Sequence, residues 1–333
     1  MLRALPRSDE AFADESVLGY AMRMAELNRV NGLEGTARLL GCGSVVRGGA
    51  SHATAIGLLY GASPSRLVSL APQRFRRNGE LHVSLLGCEF SRPWLLRSQR
   101  PQVCPQCLTT HGYVRADWDL LFVTQCRVHW TRLLDQCPSC KEPLHWRRKT
   151  LKRCTCGSDL SAIGAADTGS CAAQDLTAWL ASRLGLPAAS RAFAGERGWL
   201  GHLDALSVDG ALLLVWAFGV RRTAADIVDP GRTHGPIATL EVNAIVERAR
   251  SRLEAVSADG ASAAQDIAAT VHVSALVSLA LRGLAEGDRR IATQLLARLG
   301  YRTWKNGRLR NQSPQAQLEL FTFPPASVLR GFE

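Results

Sequence analysis

Aromatic side chains are scarce in this sequence: Phe, Trp and Tyr together make up 6% of 333 residues. Large sheets draw on aromatic and β-branched residues. The shortage, set beside abundant Ala, Leu, Gly and Arg, therefore points to a mainly helical chain. A continuous apolar run of about 20 residues, the length that spans a bilayer, is missing. The nearest approach, Ile267 to Leu281, is too short and contains His272. Met1 to Asp14 has no apolar centre and carries acidic residues, unlike a secretory leader. The expectation is a soluble, cytoplasmic protein with no membrane partner, whose cysteines face a reducing compartment.

Catalytic signatures are lacking as well. There is no Gly-x4-Gly-Lys-Ser/Thr phosphate loop, no Gly-x-Ser-x-Gly elbow and no His-Glu-x-x-His helix. Asp117 and Asp119 flank Trp118 and offer the one carboxylate pair that a magnesium-dependent nuclease would use. With no third acid in a partner motif they are read as solvated surface residues, and the chain as a non-enzyme.

What the sequence does have is positive charge, and it is local. The formal net charge is +11. Residues 70–153 hold 15 Lys/Arg against 6 Asp/Glu, whereas residues 1–69 (7 against 6) and 154–333 (18 against 17) are nearly balanced. Such a concentration suits a polyanion, most simply the backbone of DNA. Candidate contacts are Arg66, Arg74, Arg76 and Arg77, and the loop cations Arg147, Arg148, Lys149, Lys152 and Arg153.

It also has ten cysteines, which in a reducing compartment argue for metal rather than disulfides. Seven of them and one histidine fall in four close pairs: Cys104-x2-Cys107, Cys126-x2-His129, Cys137-x2-Cys140 and Cys154-x-Cys156. The pairs are separated by 18, 7 and 13 residues. A tight turn between two close ligands supplies half of a tetrahedral zinc site, so eight ligands make two closed, structural zinc sites with no open position for catalysis. The pairs can combine consecutively, in alternation or nested. Consecutive pairing closes the shorter loops, which assigns Cys104, Cys107, Cys126 and His129 to one zinc and Cys137, Cys140, Cys154 and Cys156 to the other. Cys42, Cys88 and Cys171 stand alone and read as small core residues. Trp118, Trp130 and Trp146 read as packing around the metals.

Helical periodicity predicts helices at Asp14–Val30, capped by Asp14, and at Leu33–Leu40 and Ser51–Tyr60. Ser63 and Pro64 open another that runs to about Leu70. Gly57, Gly61, Leu67 and Leu70 give the last two a helix-turn-helix outline, a pattern that an ordinary helical hairpin or a protein-docking scaffold shares. Residues 71–103 read as irregular or strand-like. Beyond a linker at Ser161–Ser170, helices are expected at Ala173–Leu184, Val208–Phe218, Leu240–Val256, Ala263–Ala285 and Asp288–Leu299. A loop is expected at Asp229–Pro236, and a non-helical tail at Phe321–Pro325. The fold class is thus mainly α with small zinc-ribbon β elements. A helix-turn-helix domain at 1–100, a double zinc-binding module at 101–162 and a helical domain at 171–333 make up the expected layout.

Over residues 5–160 this pattern resembles the TniQ family of transposition proteins. Leu5-Pro6, Asp14-Glu15-Ser16-Val17-Leu18-Gly19-Tyr20 and Arg23 look like its opening motif. Agreement continues through Cys104-Pro105-Gln106-Cys107-Leu108, Gly112-Tyr113, Arg115, Trp118, Cys126, His129, Leu133, Cys137-Pro138-Ser139-Cys140, Pro143-Leu144, Cys154-Thr155-Cys156-Gly157 and Asp159-Leu160. The resemblance implies a non-enzymatic target-selection factor of a DNA transposon, which links a target to an AAA+ ATPase regulator that recruits the transposase. Some relatives bind a DNA attachment site; others dock as head-to-tail dimers on the RNA-guided Cascade complex of CRISPR-associated transposons. The partners to expect are the ATPase, DNA, such a guide complex and a second copy.

Overall fold

The structure, a computed structural model, describes residues 4–46, 48–97, 99–164, 168–188, 198–226, 228, 237–257, 261–303 and 309–311. Two compact units make up the chain: Met1–Glu196 with Pro230–Val246, and Arg197–Asp229 with Glu247–Glu333. Among the described residues no helix is long and apolar enough to cross a membrane.

The first unit begins with α1 (Val17–Leu27), whose buried side chains include Tyr20, Ala21, Met22 and Met24. Its cap is Ser16, whose Oγ accepts the Gly19 N–H at 3.0 Å, and not the expected Asp14. Asp14 is drawn into a buried ion cluster described below. Helix α2 (Gly32–Leu39) gives way to Gly41 at a φ of 67°. Helix α3 (Gly49–Tyr60) closes on Gly61 at a φ of 79°, and α4 (Pro64–Leu70) follows a three-residue turn. A Cβ on Gly57 would lie 3.1 Å from the Ala62 carbonyl oxygen and 3.2 Å from Pro64 Cα, so glycine permits the close approach of this turn to α3.

The basic stretch after α4 is a three-stranded antiparallel meander: β1 (Gln73–Arg77), β2 (Glu80–Leu85) and β3 (Cys88–Phe90). Arg74 pairs with Val83, and Val83 with Phe90. Both connections are two-residue turns with positive φ, Asn78-Gly79 and Leu86-Gly87, which match the twist of a hairpin. The metal segment then holds α5 (Pro105–Thr110), a 3-10 turn at Ala116–Asp119, and single β-bridges in place of ribbon strands. Helix α6 (Cys171–Arg183), capped by Ser170, completes the succession of helices before residue 196. Tyr20, Ile56, Tyr60, Leu67, Phe90, Trp118 and Phe122 are fully buried in this unit. Each large apolar side chain removed from water contributes about 1.5–3 kcal/mol.

The second unit holds α7 (Gly201–Asp204) and α8 (Val208–Gly219), then the later part of α9 (Thr239–Ser257). α10 (Ala261–Thr270), α11 (Val273–Arg282), α12 (Glu286–Arg298), β4 (Tyr301–Thr303) and β5 (Leu309–Asn311) follow. α8 is apolar nearly all round and buried, as a central helix must be. The single helix expected at Ala263–Ala285 is two. His272 breaks it by donating its backbone N–H to the Ala217 carbonyl at 2.8 Å, a tertiary partner that periodicity cannot reveal. The Asp288 carboxylate accepts from Ser207 N, Ser207 Oγ and Ala285 N at 2.7–2.9 Å, and so pins the starts of α8 and α12 together. Asp229–Pro236 and Phe321–Pro325 both lie outside the described residues.

Candidate metal centres and basic surface

Four short backbone devices present the paired ligands. Cys104 caps α5, with its Sγ 3.5 Å from the Cys107 N–H. Each of the other three pairs sits in a tight knuckle that ends on a left-handed residue: Trp130 (φ 55°), Lys141 (φ 62°) and Gly157 (φ 90°). Backbone bonds close the knuckles, from Trp130 N to Cys126 O at 2.7 Å, Lys141 N to Cys137 O at 2.9 Å and Gly157 N to Cys154 O at 2.9 Å. The bridges Gln125–Arg132, Gln136–Pro143 and Arg153–Asp159 flank them.

These devices gather the donors into two clusters, Cys104–Cys107–Cys126–His129 and Cys137–Cys140–Cys154–Cys156, each with its ligand atoms within 4.8 Å of one another. The grouping is by consecutive pairs. In the first, Cys107 Sγ lies 3.5 Å from Cys126 Sγ, and His129 Nδ1 lies 3.4, 3.3 and 3.6 Å from the sulfurs of Cys104, Cys107 and Cys126. In the second, Cys137–Cys156 and Cys140–Cys154 are each 3.8 Å apart. Tetrahedral zinc, from its bond lengths, sets S–S edges of about 3.8 Å and S–N edges of about 3.6 Å. The donor sets and spacings therefore fit zinc, and both clusters could hold a metal ion. Hydrogen bonds among the crowded thiols pull Cys104 down and push Cys107 and Cys126 up. Deprotonating all three sulfurs at this spacing calls for a cation among them.

A buried ion cluster ties the first metal cluster to α1. The Asp14 carboxylate accepts from Tyr113 Oη at 2.7 Å and from both Arg115 Nη1 and Arg127 Nη2. Burial raises the Asp14 carboxyl, but the Tyr113 hydrogen bond and the two guanidinium charges outweigh it and hold the group below the usual carboxylate range. The sulfur of Cys107 also favours the charge of Arg115, and Arg127 reaches Asp117 Oδ2 at 3.3 Å and the Pro187 carbonyl. Backbone bonds from Ser16 N to Val114 O and from Ala116 N to Asp14 O, at 2.8 and 2.7 Å, run alongside. A Cβ on Gly19 would meet Val114 Cβ at 2.9 Å, which explains a glycine one turn into α1. Sequence reading missed these roles, because Asp14 and Arg115 stand 101 residues apart.

The structure corrects three other expectations. Asp117 is buried and Asp119 half-buried, so neither is a solvated acid. Burial raises both, and with the charge of Asp117 beside it Asp119 reaches about 8. Cys171 is exposed, and Cys42 and Cys88 are half-buried, so none is a core residue; none joins a donor cluster. Trp118 and Trp146 are buried as expected, while Trp130 is half-buried.

The expected basic contacts separate by exposure. Arg66, Arg74, Arg76, Arg77, Arg147, Lys149 and Arg153 are exposed and Lys152 is half-buried. Arg66 donates to Ala11 O at 3.1 Å, Arg76 to Gly79 O at 3.1 Å, and Arg77 pairs with Glu89 at 2.9 Å. Arg148 is the exception: it is buried, and its guanidinium lies across the Trp146 ring at 5.6 Å, so it presents no charge to a polyanion. The cations Arg97 and Arg100 are turned to Asp135, at 3.4 and 3.0 Å.

No curated protein matches the chain. The family model that matches is TniQ, over residues 6–133, a span that runs from before α1 through the first donor cluster and stops short of the second. Residues 6–133 are thus similar to the TniQ family, and the Asp14–Arg115 pair ties the early part of that stretch to its later part.

Proposed function

We propose that this chain is a non-catalytic adaptor of DNA transposition. It links a target, DNA or an RNA-guided Cascade-type complex, to the AAA+ ATPase that regulates the transposase. The observation that carries the reading is the TniQ match over residues 6–133. Two zinc ions, one in each donor cluster, hold the metal segment as a rigid platform and leave no position open for a substrate. The exposed cations Arg66, Arg74, Arg76, Arg77, Arg147, Lys149 and Arg153, with Lys152, meet the DNA backbone; Arg148 takes no part. A homodimer is compatible with the reading.

The alternative is direct reading of an attachment site, with α3 and α4 as a helix-turn-helix. Its support is the three-residue turn and the close approach at Gly57. Against it, α4 has seven residues, and its exposed polar side chains are engaged internally. Ser65 bonds Ser63, Ser69 bonds the Arg66 carbonyl, and Arg66 bonds Ala11. The adaptor reading is therefore preferred.

The test is selection from a pool of random duplex DNA by the zinc-loaded chain at two salt concentrations, with the retained DNA sequenced. Weak retention that falls steeply with salt and enriches no sequence is the expected result. Enrichment of one sequence overturns the adaptor reading in favour of direct recognition.

A further inference from the structure

Arg148 stands in the loop between Cys140 and Cys154, and it alone among that loop's five expected contacts is buried, 2% exposed. Among the described residues no hydrogen-bond partner meets its Nε, Nη1 or Nη2. Its guanidinium lies over the ring of Trp146, 5.6 Å from the ring centre. A cation taken out of water without a partner is strongly unfavourable, so a compensating charge is required. The backbone gives the side chain little room to leave. A Cβ on Gly32, at the start of α2, would meet the Arg148 and Lys149 carbonyl oxygens at 2.9 and 3.2 Å, and Leu151 N bonds Glu26 Oε2 at 3.4 Å. Burial lowers the Arg148 pKa to about 10, and the group that opposes this shift is Cys154, a member of the second donor cluster.

The two clusters differ in charge. Three thiolates and a neutral imidazole around a zinc dication leave one negative charge; four thiolates leave two. The first cluster already has the charge of Arg115 favoured by the Cys107 sulfur, and Arg115 is shared with Asp14. The second cluster carries more charge, and its loop holds a guanidinium shared with no carboxylate among the described residues. We infer that Arg148 is the internal counter-charge of the Cys137–Cys140–Cys154–Cys156 zinc site, a positioning residue that holds the tetrathiolate together and slows the loss of its metal. The inference rests on the zinc reading above. It also separates Arg148 from the other cations of the loop: Arg147, Lys149 and Arg153 are exposed and Lys152 half-buried, whereas Arg148 is buried.

The experiment uses the full chain and its Arg148→Gln and Arg148→Lys variants. Elemental analysis first gives the zinc content; wild-type protein without zinc defeats the zinc reading itself. Zinc release to a chromogenic chelator is then followed in time, with circular dichroism alongside. The expected result is that Arg148→Gln loses one of its two zinc ions about 10–100-fold faster than wild type, the effect typical of removing an outer-shell partner. The other ion leaves at the wild-type rate and serves as an internal reference. Arg148→Lys, which keeps the charge, lies close to wild type. Wild-type release from Arg148→Gln overturns the inference. So does equal acceleration in Arg148→Gln and Arg148→Lys, which makes shape rather than charge the cause. Loss of both ions with loss of helical signal also overturns it, since Arg148 then serves packing alone.

Discussion

Asp14 is where a single carboxylate has the most to hold. Two guanidinium groups and a tyrosine hydroxyl converge on it in the interior. Removing it leaves Arg115 buried without its carboxylate partner and Arg127 with Asp117 alone. Asp14→Ala is expected to destabilise the fold by about 3–5 kcal/mol, measured by denaturant unfolding of the zinc-loaded chain. The same group gives a pH signature. Its folded pKa is depressed, so its contribution is present above its unfolded value and is lost as pH falls through the folded value. Asp119 has the opposite sign. Its folded carboxyl titrates at about 8, above its value in the unfolded chain, so it increasingly opposes folding as pH rises from the ordinary aspartate range toward 8. Asp119→Asn is therefore expected to stabilise the protein, with a gain that is larger at pH 8 than at pH 5. A gain independent of pH would mean that the carboxyl is not held neutral.

Among the elements, the knuckles and the α3–α4 turn are the most constrained. Lys141 adopts a left-handed conformation that ordinarily favours glycine. The ligands on either side over-determine it. Replacing it with glycine removes the steric penalty of roughly 1–2 kcal/mol for an L-residue there, less the greater freedom glycine has when unfolded. Lys141→Gly is thus expected to leave the melting temperature of the metal-loaded chain unchanged or raised, whereas Lys141→Val is expected to lower it. Gly57 is the reverse case. Its missing Cβ would press on backbone atoms of Ala62 and Pro64, which cannot yield as the end of a side chain can. Gly57→Val is expected to cost about 1–3 kcal/mol through overpacking. Faster hydrogen exchange in α4 than in α1 would locate the damage.

For the whole molecule, the metal clusters matter because they stand where regular structure is thin. Between α5 and α6 the backbone is held by single bridges, a 3-10 turn and the knuckles. Structural zinc supplies on the order of 10 kcal/mol to such a segment. Chelation is expected to abolish amide protection across residues 101–160 and to weaken α1, whose start is bonded to Val114 and Ala116. The core of the second unit, α8 with α11 and α12, has its own buried apolar residues and its own Asp288 clasp. Its amides are expected to remain protected. Simultaneous loss of protection in both units would show that they fold as one.

Local chemistry was legible in the sequence. The ligand pairs could be read because the turns that present them are three or four residues long, and consecutive grouping followed from loop closure. Ser-Pro at α4, Gly41 and Gly61 marked helix ends because their effect is confined to the neighbouring peptide units. The basic excess at 70–153 could be counted, but its division could not. Whether a given arginine faces water, like Arg147, or the interior, like Arg148, depends on the chain that packs over it. The same holds for Asp14, which has the side chain of a helix cap and ends in an ion cluster with partners about a hundred residues away. The break at His272 belongs here too, since its cause is the carbonyl of Ala217. Sequence determined the turns, ligand pairs and helix ends, because bonds over a few residues decide them. Tertiary structure alone decided which charges are buried and what they face, because those energies depend on groups the chain brings together only when folded.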